Sequence, residues 1–354
     1  MVPLLGYGWV KVQVVNSYFN PTTTNDPGLA ARLQNEEPIG ISRFKEVPMI
    51  PRRGKAPVKS RIPQVRRVVA VSSAKGGVGK STVAVNLAMA LAMHPSRPRV
   101  GILDLDIFGP SLPRIMGLRD APEPEVNNFN HIIPLVNHGL QCMSMGFLLS
   151  RDPQFPSKAN KTDMGSTWRS NQESAPIVWR GLMVQKATQQ LLFEVDWSGG
   201  GNIPGGVDVL VVDLPPGTGD VALTLGQLVH VDGAVIVSTA QDVALADVKK
   251  GVAMFQKIKV PILGMLLNMS HFSCPSCTTQ HDLFGTSASI ESAAEEMGLE
   301  ILGKLPLVPQ LSMSADRGVP LMLQGFYDAD SDSGVTDVRS TMSDLAETVI
   351  SRIG

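Results

Sequence analysis

Two stretches of this chain combine residue types that do chemistry. The first is Ala74-Lys75-Gly76-Gly77-Val78-Gly79-Lys80-Ser81-Thr82, a glycine-rich turn that closes on Lys-Ser-Thr. Successive backbone N–H groups in such a turn point inward and meet the positive end of the following helix, so phosphate oxygens find donors. Gly76, Gly77 and Gly79 permit a close approach that a Cβ would block. Lys80 is placed to reach the β- and γ-phosphates of ATP, and the Ser81 hydroxyl to hold Mg²⁺. The pattern G-x-x-x-x-G-K-[ST] asks for glycine where this chain has Ala74. If the backbone there is left-handed, alanine costs about 1 kcal/mol.

The second stretch is Cys274-Pro275-Ser276-Cys277. Two thiolates two residues apart can bind one metal or one edge of an iron–sulfur cluster. Neither zinc nor a four-iron cluster is normally satisfied by two ligands. The chain has no second Cys-x-x-Cys, so the simplest completion is the same pair from another subunit across a two-fold axis. A redox dithiol and a zinc pair completed by His271 or His281 compete with that reading. Cys142 reads as a buried apolar thiol.

These groups need elements to hold them. The β-branched run Val68–Val71 before the glycine-rich turn and the alanine-rich run Val83–Met93 after it predict strand, phosphate loop, helix. Arg99–Asp106 predicts a buried strand with two carboxylates, Asp104 and Asp106, at the end where α/β sheets place their chemistry. Asp106 reads as a water-orienting or metal-sensing group, or as a plain helix cap. Val207–Asp213 is a further buried strand, and Asp213 at its tip is the Walker B arrangement that helps position Mg²⁺. The turn Pro215-Pro216-Gly217-Thr218-Gly219-Asp220 suits a γ-phosphate sensor. Gly233–Thr239 and Ile262–Asn268 are two more buried strands flanking a helix at Ala244–Lys257. Asn268 can bond an adenine edge or cap the next turn. Strand and helix alternating on this scale predict an α/β fold, a doubly wound and mostly parallel sheet with helices on both faces.

Outside these elements the expectations are simpler. Residues 1–65 read as leader and linker, the basic Pro-rich part from Pro48 to Pro63 being extended. Residues 66–354 read as one nucleotide-binding domain. Arg151–Ser174 reads as a polar surface insertion, Leu182–Val195 as a helix, and the glycine run at 199–206 as a flexible connector. Ile301–Pro306 is a last short strand, and Val338–Ile353 a helix packing its apolar stripe on the sheet.

Composition removes several classes. A net charge of −1, from 31 basic and 32 acidic residues among 354, gives no global bias toward nucleic acid or an anionic membrane. Aromatics at 5% are too sparse for a base-stacking surface. Three cysteines make a poor disulfide framework and fit a reducing compartment. The first 25 residues lack Asp and Glu but hold only one basic residue, Lys11, so as an organelle-targeting segment they are atypical.

The phosphate loop resembles the deviant Walker A loop of the Mrp/NBP branch of the MinD/ParA-type ATPases, in which Lys75 matches an additional signature lysine. The resemblance continues through Leu103-Asp104-Leu105-Asp106-Ile107-Phe108-Gly109-Pro110-Ser111, Pro215–Asp220, Leu267-Asn268-Met269 and the cysteine pair. Val178–Val184 and Cys142–Leu148 are most similar to the mitochondrial nucleotide-binding-protein-like (NUBPL) subgroup. The resemblance implies a homodimeric, weak Mg-dependent ATPase in which Lys75 acts on the partner's phosphates. It implies a [4Fe-4S] cluster shared by Cys274 and Cys277 of two subunits and passed to apoproteins, respiratory complex I subunits among them, in the mitochondrial matrix. The catalytic set is then Lys75, Lys80, Asp106 and Asp213, with Ser81 and Asp213 on Mg²⁺. Nucleotide contacts run from Ala74 to Thr82 and include Asn268. A cytoplasmic location is the alternative. The cytosolic scaffold relatives carry a four-cysteine motif near the N-terminus, and here no cysteine precedes Cys142. A rival of another class is a positioning switch that binds membrane or DNA, for which a basic amphipathic C-terminus is expected and not found.

Overall fold

The computed structural model describes residues 58–149, 181–274, 277, 279–285, 287–324 and 333–354. Residues 1–57 of the leader and linker, the 151–174 insertion and Val178-Trp179-Arg180 lie outside the described residues. The described residues form ten strands: β1 Val65–Ser72, β2 Val100–Asp104, β3 Leu135–Asn137, β4 Leu140–Ser144, β5 Val207–Asp213, β6 Gly233–Ser238, β7 Ile262–Leu267, β8 Phe272–Ser273, β9 Gln280–His281 and β10 Ile301–Lys304. The longer helices are α1 Lys80–Met93, α2 Gly181–Phe193, α3 Asp220–Leu228, α4 Asp242–Lys257, α5 Ser287–Glu296, α6 Pro309–Arg317 and α7 Ser333–Ile353.

Eight strands form one sheet in the order β10-β7-β6-β1-β5-β2-β4-β3. Every pairing is parallel except β3 on β4. This is the expected doubly wound sheet, and its chemistry explains it. β2, β4 and β6 are buried along their whole length, because helices cover both faces and leave no solvated side to ask for alternation. β1 lies between β5 and β6, so the turn that follows it emerges at the middle of the sheet's carboxyl edge.

Helix α1 is buried from Val83 to Leu91. Small residues at Ala84, Ala88 and Ala90 let it sit close to the sheet, and α7 packs against it. The stripe on α7 is buried as expected, at Val338, Met342, Leu345, Val349 and Ile353. Among the described residues no helix is long and apolar enough to cross a membrane.

Two expectations change in detail. The 199–206 glycine run is no loose connector, because Gly199, Ile203 and Gly206 donate backbone hydrogen bonds to Asp196, Ser198 and Ile203. Gly206 has φ 73°, and a Cβ there would stand 2.0 Å from the Gln64 carbonyl oxygen, so the glycines fold this loop tightly. The strand pair β3–β4 was not anticipated. Its short edge strand carries no alternating pattern, and β4, being fully buried, shows only a mixed polar and apolar run.

Candidate functional site

The carboxyl ends of β1, β2, β5, β6 and β7 bring the predicted phosphate-handling residues together. Gly77 and Gly79 both hold φ 81°, the left-handed region that L side chains resist. Gly79 leads into α1, whose N-terminus has no side-chain cap, so its first-turn N–H groups are left for an anion. A cavity of about 240 Å³ opens there, lined by Gly76, Lys80, Ser81, Thr82, Asp106 and Pro216 among others. Ala74 is not among the residues with positive φ, so the penalty considered for alanine does not arise. The left-handed geometry falls on the glycines that follow it.

Lys80 is 6% exposed, and its Nζ donates to Asp213 Oδ1 and, at 3.2 Å, to Ser81 Oγ. The three groups expected to handle phosphate and Mg²⁺ therefore stand side by side. Burial pushes the Asp213 carboxyl up from its ordinary range, and the Lys80 ammonium opposes that. Asp106 is half-buried on the cavity wall, where its Oδ1 accepts from the Gly109 N–H at 3.1 Å.

Asn268 is 2% exposed, and its Nδ2 donates to the Val78 carbonyl at 2.8 Å. A Cβ on Gly79 would lie 2.3 Å from that nitrogen, so Asn268 and Gly79 fit each other through the missing side chain. Asn268 Oδ1 is buried with no hydrogen-bond partner among the described residues. Lys75, by contrast, is exposed, and its Nζ donates to Gln241 Oε1 at 3.3 Å.

Sequence reasoning passed over Asp104 as a role-bearing residue. It is fully buried and sits opposite Asp213 in the β2–β5 register. Its carboxylate accepts from the backbone N–H groups of Asp106 at 2.9 Å, Ser111 at 3.1 Å and Leu112 at 3.2 Å, and from Ser144 Oγ at 3.0 Å. Both ends of the loop that presents Asp106 are thus tied to one side chain. Burial, and then the Asp213 charge, push the Asp104 carboxyl up to about 7. The signal was where each carboxylate falls: Asp104 closes the apolar run and is buried with the strand, whereas Asp106 lies past the strand's end, on the cavity wall.

The cysteine pair occupies the loop of a hairpin whose strands, β8 and β9, are two residues each. Cys274 N–H donates to the Thr279 carbonyl at 3.0 Å. Cys277 is exposed and its Sγ lies 3.3 Å from Thr279 Oγ1. That hydroxyl, the Thr279 backbone and the Cys274 side chain hold the Cys277 thiol below its ordinary value, which favours thiolate, the form that ligates metal. No group of three His, Cys, Asp or Glu side chains suited to a metal occurs among the described residues. His271 is engaged through Nδ1 with Ser270 Oγ at 2.9 Å. Cys142 is buried in β4 as anticipated, and burial pushes its thiol up to about 12.

Comparison with known proteins agrees with this geometry. A ParA family model, described as the NUBPL iron-transfer P-loop NTPase, matches residues 64–156 and 153–342. The iron–sulfur cluster transfer protein NUBPL of Dictyostelium discoideum is 46% identical over 263 residues, 74% of this chain and 72% of that protein. The iron–sulfur protein required for NADH dehydrogenase, mitochondrial, of Arabidopsis thaliana is 40% identical over 290 residues, 82% of this chain and 80% of its own. Among solved structures, a nucleotide-binding protein of Archaeoglobus fulgidus in complex with ADP superposes with a TM-score of 0.55 at 32% identity, covering 73% of this chain and 88% of that one.

Proposed function

Because the chain belongs to the NUBPL iron-transfer P-loop NTPases of the ParA family, we propose that it is an ATP-binding carrier that holds an iron–sulfur cluster as cargo and delivers it to apoproteins. The single observation that carries the reading is the contrast at one sheet edge. One chain lines the phosphate-loop cavity by itself, whereas its cysteine pair offers only two sulfur donors, with no third His, Cys, Asp or Glu among the described residues to complete a metal site. Four thiolates suit a [4Fe-4S] cluster, so the cargo bridges Cys274 and Cys277 of two copies related by a two-fold axis.

The residues on the nucleotide side fit their tasks. Mg²⁺ would be held by Ser81 Oγ and Asp213, and supplies neutralisation of phosphate charge when bound. Lys80 leaves Asp213 for the β- and γ-phosphates, and the uncapped start of α1 takes the remaining oxygens. Asn268 Oδ1, a buried acceptor awaiting a donor, suits the exocyclic amine of adenine. Asp106, kept in place by Asp104, orients the attacking water. Lys75, exposed and resting on Gln241, reaches the partner's phosphates across the dimer. Turnover on this reading is slow, since hydrolysis serves to open and close the interface that the cargo bridges.

For the recipients and the compartment, support comes from the relatives. The Arabidopsis protein is named for its requirement by NADH dehydrogenase and as mitochondrial, which supports complex I subunits as recipients and the matrix as the site of action. The test is anaerobic reconstitution with iron and sulfide, beside Cys274→Ala. About four iron and four sulfide per dimer, lost in the variant, sustain the carrier. Zinc alone, or iron indifferent to Cys274, would return the chain to a nucleotide switch without cargo.

A further inference from the structure

The opposite edge of the sheet, where the strands begin, has a different chemistry. Lys59, Arg61, Arg66, Arg67, Arg99 and Lys259 gather there. Several of them are held in place by hydrogen bonds to backbone or carboxylate oxygens. Lys59 Nζ donates to the Ile258 carbonyl at 2.8 Å, and Lys259 beside it, after burial, holds the Lys59 ammonium below its ordinary value. Arg61 donates to the Arg66 carbonyl at 3.3 Å. Two side-chain carboxylates answer these six cations, and both are engaged: Asp208 by Arg99 and Arg66, and Asp232 by Arg67. Arg61 has no carboxylate partner among the described residues, and Arg66 remains 75% exposed. Two adjacent hollows, of about 410 and 350 Å³, share Arg61 and Arg66 on their walls.

We propose that this arginine-lined edge is a docking surface for the anionic headgroups of a phospholipid membrane. Three observations favour lipid over a protein partner. No Phe, Tyr or Trp lines either hollow, so the aromatic anchors on which protein interfaces draw are missing from their walls. The guanidinium groups keep N–H donors that match phosphate oxygens. Val58, 86% exposed and adjacent in sequence to Lys59, is the kind of isolated apolar residue that an interface between headgroups and acyl chains accepts. The chain's net charge of −1 conceals this edge because a total carries no positions, and here six cations meet Asp208 and Asp232. β1 spans eight residues, so docking here leaves the phosphate loop roughly 23 Å away, facing the aqueous side.

Flotation of the full chain with vesicles tests the assignment. Phosphatidylcholine vesicles should leave the protein behind, vesicles containing cardiolipin should carry it, and salt should release it. Each Lys or Arg at an anionic surface is worth about fivefold in partition, so Arg61→Glu with Arg66→Glu should lower binding by more than about tenfold. Arg61→Gln with Arg66→Gln, which places no new charge beside Asp208, should fall between the two. Nucleotide binding should stay intact in both variants and report that they are folded. No flotation, or flotation equal in all three proteins, overturns the proposal. So does preferential capture of the edge by a polyuridine oligonucleotide or a polyglutamate peptide, displacing the vesicles and lost in the same variants.

Discussion

The phosphate site and the cysteine hairpin share one edge of the molecule and are built in opposite ways. The first draws on the ends of five central strands, and its Lys80, Asp104 and Asp213 are sunk in the protein. The second stands on two strands of two residues, with one thiol open to solvent. The difference teaches what each ligand needs. A nucleotide that must be bound in one orientation is met by a seat whose backbone and side chains are arranged in advance. A cargo that must leave is better held at a rim, by few donors, where a recipient's thiols can replace them one at a time.

The widest contrast to probe is among the cysteines. Cys277 is exposed with a thiol held low, while Cys142 is buried with its thiol near 12. At neutral pH, alkylation of Cys277 should therefore outrun that of Cys142 by more than about 1000-fold, as mass spectrometry of timed iodoacetamide reactions would read. Comparable rates would mean that β4 opens as easily as the hairpin and would erase the distinction.

Next in size is the independence of the two sites within one chain. Lys80→Ala should weaken nucleotide binding by about 100-fold through loss of a charge-assisted contact, measured by calorimetry, while the alkylation rate of Cys277 stays unchanged. Cys274→Ala should do the converse, leaving nucleotide affinity within about twofold. A change in both readouts from either substitution would show that the sites are coupled already in the isolated chain.

Smaller effects concern Asp104. Asp104→Ala strands three backbone N–H groups and one hydroxyl, and should cost about 2–4 kcal/mol in urea unfolding. Asp104→Asn tests charge alone. The folded carboxyl titrates near 7 and the unfolded one near 4. Between those values the folded chain keeps a proton that the unfolded chain has released. This group's stabilisation is thus complete below about pH 4 and is lost as pH rises through 7. In the nucleotide-free protein, the asparagine variant should show a flatter fall of Tm over that interval. An unaltered slope would place the titration elsewhere.

The two regions also differ in how far the sequence revealed them. The phosphate site was legible because its residues are close in sequence, at fixed spacing between a β-branched run and an alanine-rich helix. Lys75 to Thr82 need no distant partner to be recognised. Asp104 was harder: its four donors come from positions 106, 111, 112 and 144, and only the fold brings Ser144 to it. The partnership of Asn268 with the Val78–Gly79 turn spans a sequence separation of 190 residues. No local pattern could disclose that the asparagine seats itself against the loop. The arginine edge was hidden by a sum, because a count of charges carries no positions.

Strand β1 has consequences for the order in which this molecule comes apart. With β5 on one side and β6 on the other, its amides are paired in the interior of the sheet, and their exchange with deuterium should require near-global unfolding. The amides of β8 and β9 have a single short partner each and should exchange through local opening. Thiol ligands can therefore be exposed and re-covered many times within the lifetime of one folded phosphate loop.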